Sequence, residues 1–75
     1  MKELVEVIAK ALVDHPEEVT VTEKQEERAL VLELHVASDD MGKVIGKQGR
    51  IAKALRTVVK AAATRENKRV TVEII

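Results

Sequence analysis

The sequence predicts an α+β domain of two layers, with a three-stranded sheet covered on one face by three helices. Three observations carry that prediction. Apolar residues recur at helical spacing near the start and again after residue 50, three separate runs alternate apolar with polar residues, and two glycines sit between helix-compatible stretches. With 75 residues there is room for one domain whose core stabilises it only modestly.

Taking the elements in order, Leu4, Val5, Ile8, Ala9, Leu12 and Val13 fall on one side of a helix, and Lys2, Glu3, Glu6, Lys10 and Asp14 on the other. The spacing predicts an amphipathic helix over 2–14. Pro16 ends it, because proline disfavours helical backbone at the residue before it, and His15 becomes its last residue with no chemical task. Val19-Thr20-Val21-Thr22 is β-branched and alternates, which predicts a half-buried strand. The acidic run Glu23-Lys24-Gln25-Glu26-Glu27 makes the turn. A second strand follows over about 28–37, with Leu30, Leu32, Leu34 and Val36 inward and Val31, Glu33 and His35 outward. Ser38, Asp39 and Asp40 are N-cap residues for a short helix ending at Ile45, a reading preferred to metal binding because two adjacent carboxylates bring no further ligands in register. Gly42 lies inside that helix, where glycine costs about 1 kcal/mol relative to alanine. Close packing of the helix against a neighbouring one, or of a ligand strand against its surface, would explain it.

The next helix begins at Arg50. At about 100° per residue, Ile51, Leu55, Val58 and Ala62 form its expected buried seam, with Lys53, Arg56 and Lys60 opposite. Ala52, Ala54, Val59, Ala61 and Ala63 widen the apolar girdle. Small side chains there permit close approach of a second helix, and they are equally accounted for by the high helix propensity of alanine. Ala54, Val58 and Ala61 are the residues expected at such an interface. Thr64 to Arg69 breaks the helix, and Val70-Thr71-Val72-Glu73-Ile74-Ile75 alternates as a third strand.

The stretch that organises the chain is Gly42-Lys43-Val44-Ile45-Gly46-Lys47-Gln48-Gly49-Arg50. Glycine lacks a Cβ, so Gly46 and Gly49 can adopt left-handed backbone and let another backbone come close. Lys47 and Gln48 then project from a tight turn, and Arg50 opens a helix whose first amides suit an anion. A G-x-x-G alone also reads as a plain connection with a glycine C-cap. The whole run, between a strand and a long helix, resembles the signature of the KH domain, whose GXXG loop clamps a few backbone nucleotides of single-stranded RNA. Over nearly its full length the chain is similar to the small bacterial single-KH proteins of the KhpA family.

That resemblance implies a type II KH domain over 1–75, in the order α-β-β-α-(GXXG)-α-β, and a single-stranded RNA partner. It further implies a dimeric RNA chaperone or post-transcriptional regulator that self-associates or pairs with a larger KH-containing (KhpB, Jag-like) protein. On the same basis Arg65, Lys68 and Arg69 face the ligand from the bank opposite the glycine loop. One departure stands out: Ala52 occupies a position where KH patterns often carry a large aliphatic residue, with Ile51 before it, which makes the apolar floor shallower.

Phosphates are expected on the Gly46–Gly49 backbone, the first amides of the following helix, and Lys43, Lys47, Arg50 and Lys53. Bases are expected over Val44, Ile45, Ile51 and Val70. No Phe, Tyr or Trp exists in the chain, so stacking platforms worth about 1–3 kcal/mol per base are missing. Weak binding per copy, raised by dimerisation and lowered by salt, is the expectation.

Charge agrees with this. The formal net charge is zero. Yet residues 1–40 hold 4 Lys or Arg against 11 Asp or Glu, while residues 41–75 hold 9 against 2. The cations thus gather beside the glycine loop. Absence of cysteine rules out disulfides and Cys-ligated zinc. No cofactor is implied, and no nucleophile stands beside a histidine, so an enzyme is not expected. The glycines match neither the phosphate-loop pattern nor G-x-G-x-x-G. No stretch reads as a membrane span or signal peptide, which makes the cytoplasm the expected location. The competing reading is a KH-shaped protein-interaction module whose nucleic-acid contacts are secondary.

Overall fold

A computed structural model describes all residues, 1–75. The elements run α1 (Lys2–Leu12), β1 (Thr20–Gln25), β2 (Leu30–His35), α2 (Met41–Ile45), α3 (Arg50–Arg65) and β3 (Val70–Ile74), in the order expected. Strand β2 is central, antiparallel to β1 and parallel to β3. Parallel neighbours cannot be joined by a hairpin, so the chain must cross over, and α2 and α3 make that crossover. This connection carries the glycine loop at the junction of α2 and α3.

The core contains no aromatic side chain. Val5 and Ala9 of α1 meet Val21, Leu32, Leu34, Val36, Val44, Leu55, Val59 and Val72, all buried. Small and branched side chains let the helices lie close to the sheet.

Several boundaries differ from expectation. Helix α1 stops at Leu12, because Val13 is already extended, although its N–H still donates to the Ala9 carbonyl. His15 therefore lies outside the helix, before a 3-10 turn at Pro16–Glu18. Strand β1 runs on to Gln25, through what the charges suggested was a turn. Glu23, Lys24 and Gln25 pair with Leu32, Val31 and Leu30, so main-chain bonding to the central strand outweighs the poor strand propensity of exposed charged residues. The turn is confined to residues 26–29 and closed by Glu26 N–H donating to Ala29 O at 2.8 Å.

Two corrections bear on the site. Ser38–Asp40 forms a 3-10 turn, and none of its side chains caps α2. Asp40 is instead wholly buried, and its carboxylate accepts main-chain N–H bonds from Asp14 (3.1 Å) and His15 (2.9 Å). It ties the segment after α1 to the start of α2. Second, the buried seam of α3 is Ala52, Leu55, Val59 and Ala63, about one residue round from the predicted Ile51, Leu55, Val58 and Ala62. The helix turns its smaller residues to the sheet, which frees Ile51 to pack over the glycine loop and leaves Val58 46% exposed.

Candidate nucleic-acid interface

The glycine loop is built from backbone that only glycine adopts easily. Gly46 has φ 77° and ψ 174°, and Gly49 has φ 73° and ψ 15°, in the left-handed region. Gln48, between them, is itself left-handed at φ 56°. The chain is thereby bent at three of four neighbouring residues, and Lys47 and Gln48 are exposed at the tip. Ile51 fills the inside of the bend. A Cβ built on Gly46 would fall 2.5 Å from Ile51 Cγ1, whereas one on Gly49 or Gly42 would meet nothing within 4 Å.

Gly42 is therefore not a helix-packing glycine. It is exposed at the second position of α2, and no neighbouring helix presses on it. The close-packing explanation fails, and the bare main chain of Gly42 joins that of Gly46 and Gly49 on the surface.

The loop amides are partly committed. Gly46 N–H donates to Gly42 O at 2.8 Å, Gly49 N–H to Gly46 O at 3.1 Å, and Arg50 N–H to Lys47 O. The expectation that the leading amides wait for an anion is thus corrected for Gly46, Gly49 and Arg50. What remains outward is side-chain chemistry. Arg50 Nη2 lies 3.3 Å from Gln48 Oε1, which holds the guanidinium over the loop, and neither Lys47 nor Arg50 is in an ion pair.

Lys43 differs. Its ammonium is 2.9 Å from Asp14 and 3.6 Å from Asp40, so it is not a free cation. The hydrogen bond and charge of Asp14, helped by Asp40, raise its pKa above the ordinary lysine value. Burial pushes the Asp40 carboxyl up, but the main-chain bonds from Asp14 and His15, with the charges of His15 and Lys43, outweigh it and hold the carboxyl below its usual range. This group of charges braces the loop from behind.

Of the expected apolar strip, Val44 is wholly buried in the core rather than open to solvent. It cannot touch a base without unfolding α2. Ile45 is 36% exposed and Ile51 is half-buried over the loop, whereas Val70, also half-buried, stands beside Lys60, Thr64 and Arg69 at the far end of α3 and does not belong to the same strip. Ala52, the position of the missing aliphatic, is 4% exposed and belongs to the seam beneath the sheet-facing side of α3.

Lys53 is exposed one turn beyond Arg50. Farther along the same helix, Arg56 Nε donates to the carbonyl of Val72 at 3.2 Å, on the edge strand β3. Lys60, Thr64, Lys68, Arg69, Val70 and Thr71 line a shallow cleft between the end of α3 and the start of β3. Spacings of three and four place Lys53, Arg56, Lys60 and Thr64 on one flank of α3. A line of cations thus leads from the glycine loop along the seam between α3 and β3. Sequence reasoning placed Arg56 and Lys60 merely opposite the core. The steps of three and four from Lys53 to Arg56 to Lys60 were the available signal, but the neighbouring sheet edge was not visible. Arg65, Lys68 and Arg69 lie at the other end of α3 from the loop, about 24 Å away for sixteen residues at 1.5 Å each.

Comparison with known proteins agrees with this geometry. The family model described as KhpA/KhpB, KH domain, matches residues 2–74. The chain belongs to that KH-domain family. The chain is 71% identical to the RNA-binding protein KhpA of Clostridium perfringens, with the whole of both chains covered. It is 69% identical to the protein of that name from Clostridium acetobutylicum, again over the whole of both. With the Listeria monocytogenes protein of the same name it shares 51% identity over the whole of this chain and 99% of the other. No solved structure matches. The α+β architecture, with three strands and three helices, is that of a single KH domain, and Gly46-Lys47-Gln48-Gly49 joins α2 to α3 within it. No helix is long and apolar enough to cross a membrane.

Proposed function

We propose that this KH domain holds a short single-stranded RNA segment against its GXXG loop and along the seam between α3 and β3. The observation that carries this reading is the positive φ of Gly46, Gln48 and Gly49, which turns bare main chain and two polar side chains outward beside unpaired cations. The backbone of the RNA lies over Gly42, Gly46 and Gly49, with its phosphates drawn to Lys47, Arg50 and Lys53. Bases rest on Ile45 and Ile51. Lys43 and Val44 support the loop without touching the ligand. The names of the relatives, all RNA-binding, support the same reading.

The chain works as a pair in this proposal. Ala54, Val58 and Ala61 are all exposed and follow one another at spacings of four and three along α3. Val58 is the exposed large aliphatic of that helix, and a second copy or a KhpB-like partner would cover it. A pair offers two grooves and raises avidity for a longer transcript, as an RNA chaperone or post-transcriptional regulator in the cytoplasm requires.

Replacing Lys47 and Gln48 by Asp tests the loop. Retention of a short labelled RNA should fall by at least about tenfold while the circular dichroism spectrum is unchanged. Unchanged retention contradicts the reading. Val58→Asp tests the pairing: light scattering should give a dimer before the change and a monomer after it, and a monomer in both removes the homodimer.

A further inference from the structure

The one charged side chain closed off from solvent lies just ahead of the glycine loop and is no part of the ligand surface. Asp40 is 0% exposed. It stands at the N-cap of α2, where a carboxylate ordinarily accepts the unpaired amides of its own helix, yet it makes no such bond. Its Oδ1 accepts the Asp14 N–H at 3.1 Å and its Oδ2 the His15 N–H at 2.9 Å, both from the segment that follows α1. Lys43, on α2, closes the ring, with its ammonium 2.9 Å from Asp14 Oδ2 and 3.6 Å from Asp40 Oδ1.

Helix α2 needs such an anchor. It has five residues, too few to be stable alone, and it buries only Val44. Its far end is Gly46, which lies against Ile51 of α3. Asp40 and Gly46 thus fix α2 from its two ends, and the direction in which the chain enters the glycine bend depends on both. A buried carboxylate that keeps both main-chain donors holds them in place. Deprived of that carboxylate, the donors are left unpaired in the interior, and the short helix relieves the cost by moving. Asp14 contributes chiefly through its main chain, because its side chain is 70% exposed and its pair with Lys43 is screened by solvent.

We propose that Asp40 is a positioning residue for the RNA site: it touches no ligand, and by tying α2 to the segment after α1 it holds the glycine loop in the shape that grips a strand. The proposal rests on the RNA reading above and adds to it a buried residue outside the groove. Through that residue the main chain of Asp14 and His15 also serves the site. When the tie is lost the loop samples other shapes, and the apparent affinity falls in proportion to the time it spends in the gripping one.

Amide hydrogen exchange and RNA affinity together test this. In the unaltered chain the Asp14 and His15 amides, bonded to Asp40, and the Gly46 and Gly49 amides, bonded within the loop, should open as one unit with one opening free energy. Asp40→Asn, which leaves one acceptor oxygen in place of two, should speed exchange at Gly46 and Gly49 about tenfold beyond any change at the amides of β2. Where circular dichroism shows it folded, it should bind an unstructured RNA of about four nucleotides about fivefold more weakly by fluorescence anisotropy. Val21→Ala, a truncation in the core, is the control: it should lower the melting temperature yet leave the affinity for that RNA unchanged. The proposal is overturned if Asp40→Asn binds the RNA as tightly as the parent, or if its loop amides gain no more exchange than those of β2. It is also overturned if Val21→Ala weakens binding equally, which would mark a general loss of stability. Should Asp40→Asn not fold, the unaltered chain decides: a shared opening free energy supports the proposal, and opening of Gly46 at an energy different from that of Asp14 and His15 overturns it. The RNA reading is separable, since the exchange measurements contain no RNA and that reading falls if Lys47→Asp/Gln48→Asp leaves the short RNA bound.

Discussion

Ile51 sits directly over Gly46, so that a methyl group on this glycine would fall 2.5 Å from Ile51 Cγ1 and 2.9 Å from its Cβ. Gly46 is constrained twice, by that side chain and by a φ of 77° with extended ψ, a region nearly confined to glycine. Gly49 is constrained once, by φ alone. Gly46→Ala should therefore destabilise the domain by about 2–3 kcal/mol in urea unfolding, and Gly49→Ala by about 1 kcal/mol. Adding Ile51→Ala to Gly46→Ala removes the contacts with Cγ1 and Cδ1 but leaves the Cβ at 2.9 Å and the backbone strain, and should not restore stability. Equal costs for the two glycines would show that packing over the loop is unimportant.

Gly42 gives the opposite expectation. It is helical, exposed and touches no neighbour, so Gly42→Ala should stabilise the domain by up to about 1 kcal/mol. If RNA lies on its bare main chain, the added methyl should weaken RNA binding at the same time. A variant that unfolds later and binds less well would be hard to explain by damage to the fold. Binding equal to that of the parent would remove Gly42 from the contact surface.

Asp40 links acid stability to the loop. Its carboxyl titrates below the ordinary value of 3.8 in the folded chain, so the unfolded chain binds protons first as the pH falls. The stability it supplies is complete above that ordinary value and is lost as the pH drops through the lower folded value. Asp40→Asn should unfold more easily at neutral pH, since it offers one acceptor oxygen where the main-chain N–H groups of Asp14 and His15 now use two. It should also lose part of the steep decline in melting temperature below about pH 4. The same decline in both proteins would show that other carboxylates govern it. Lys43 acts at the other extreme. Its raised pKa means that its contribution is present below 10.5 and fades only as the pH climbs through the folded value.

The order of elements was legible because period and punctuation agree in this chain. Alternation marks Val70 to Ile75, helical spacing marks α1, and Gly46 and Gly49 mark the bend. The misreadings have a common cause. Asp40 looks like a helix cap in sequence, but its partners lie 25 and 26 residues earlier, a distance no local pattern encodes. Val44 reads as one of a pair of surface aliphatics with Ile45, yet only Ile45 is exposed, because α2 is a short helix that turns a single large residue to the core. The rotation of the α3 seam from Val58 to Val59 follows from how the helix seats on β3, and so does the contact of Arg56 with Val72.

The most direct measurement is a titration of the isotopically labelled domain with an unstructured RNA of about four nucleotides, followed through its backbone amide resonances. The largest shifts should fall on Gly42 and on Gly46 to Ile51, with smaller ones along Lys53 and Arg56, while the exposed face of Ala54, Val58 and Ala61 stays unmoved. Resonances that move on the Val58 face and not at Gly46 to Ile51, or that do not move at all, would contradict the account.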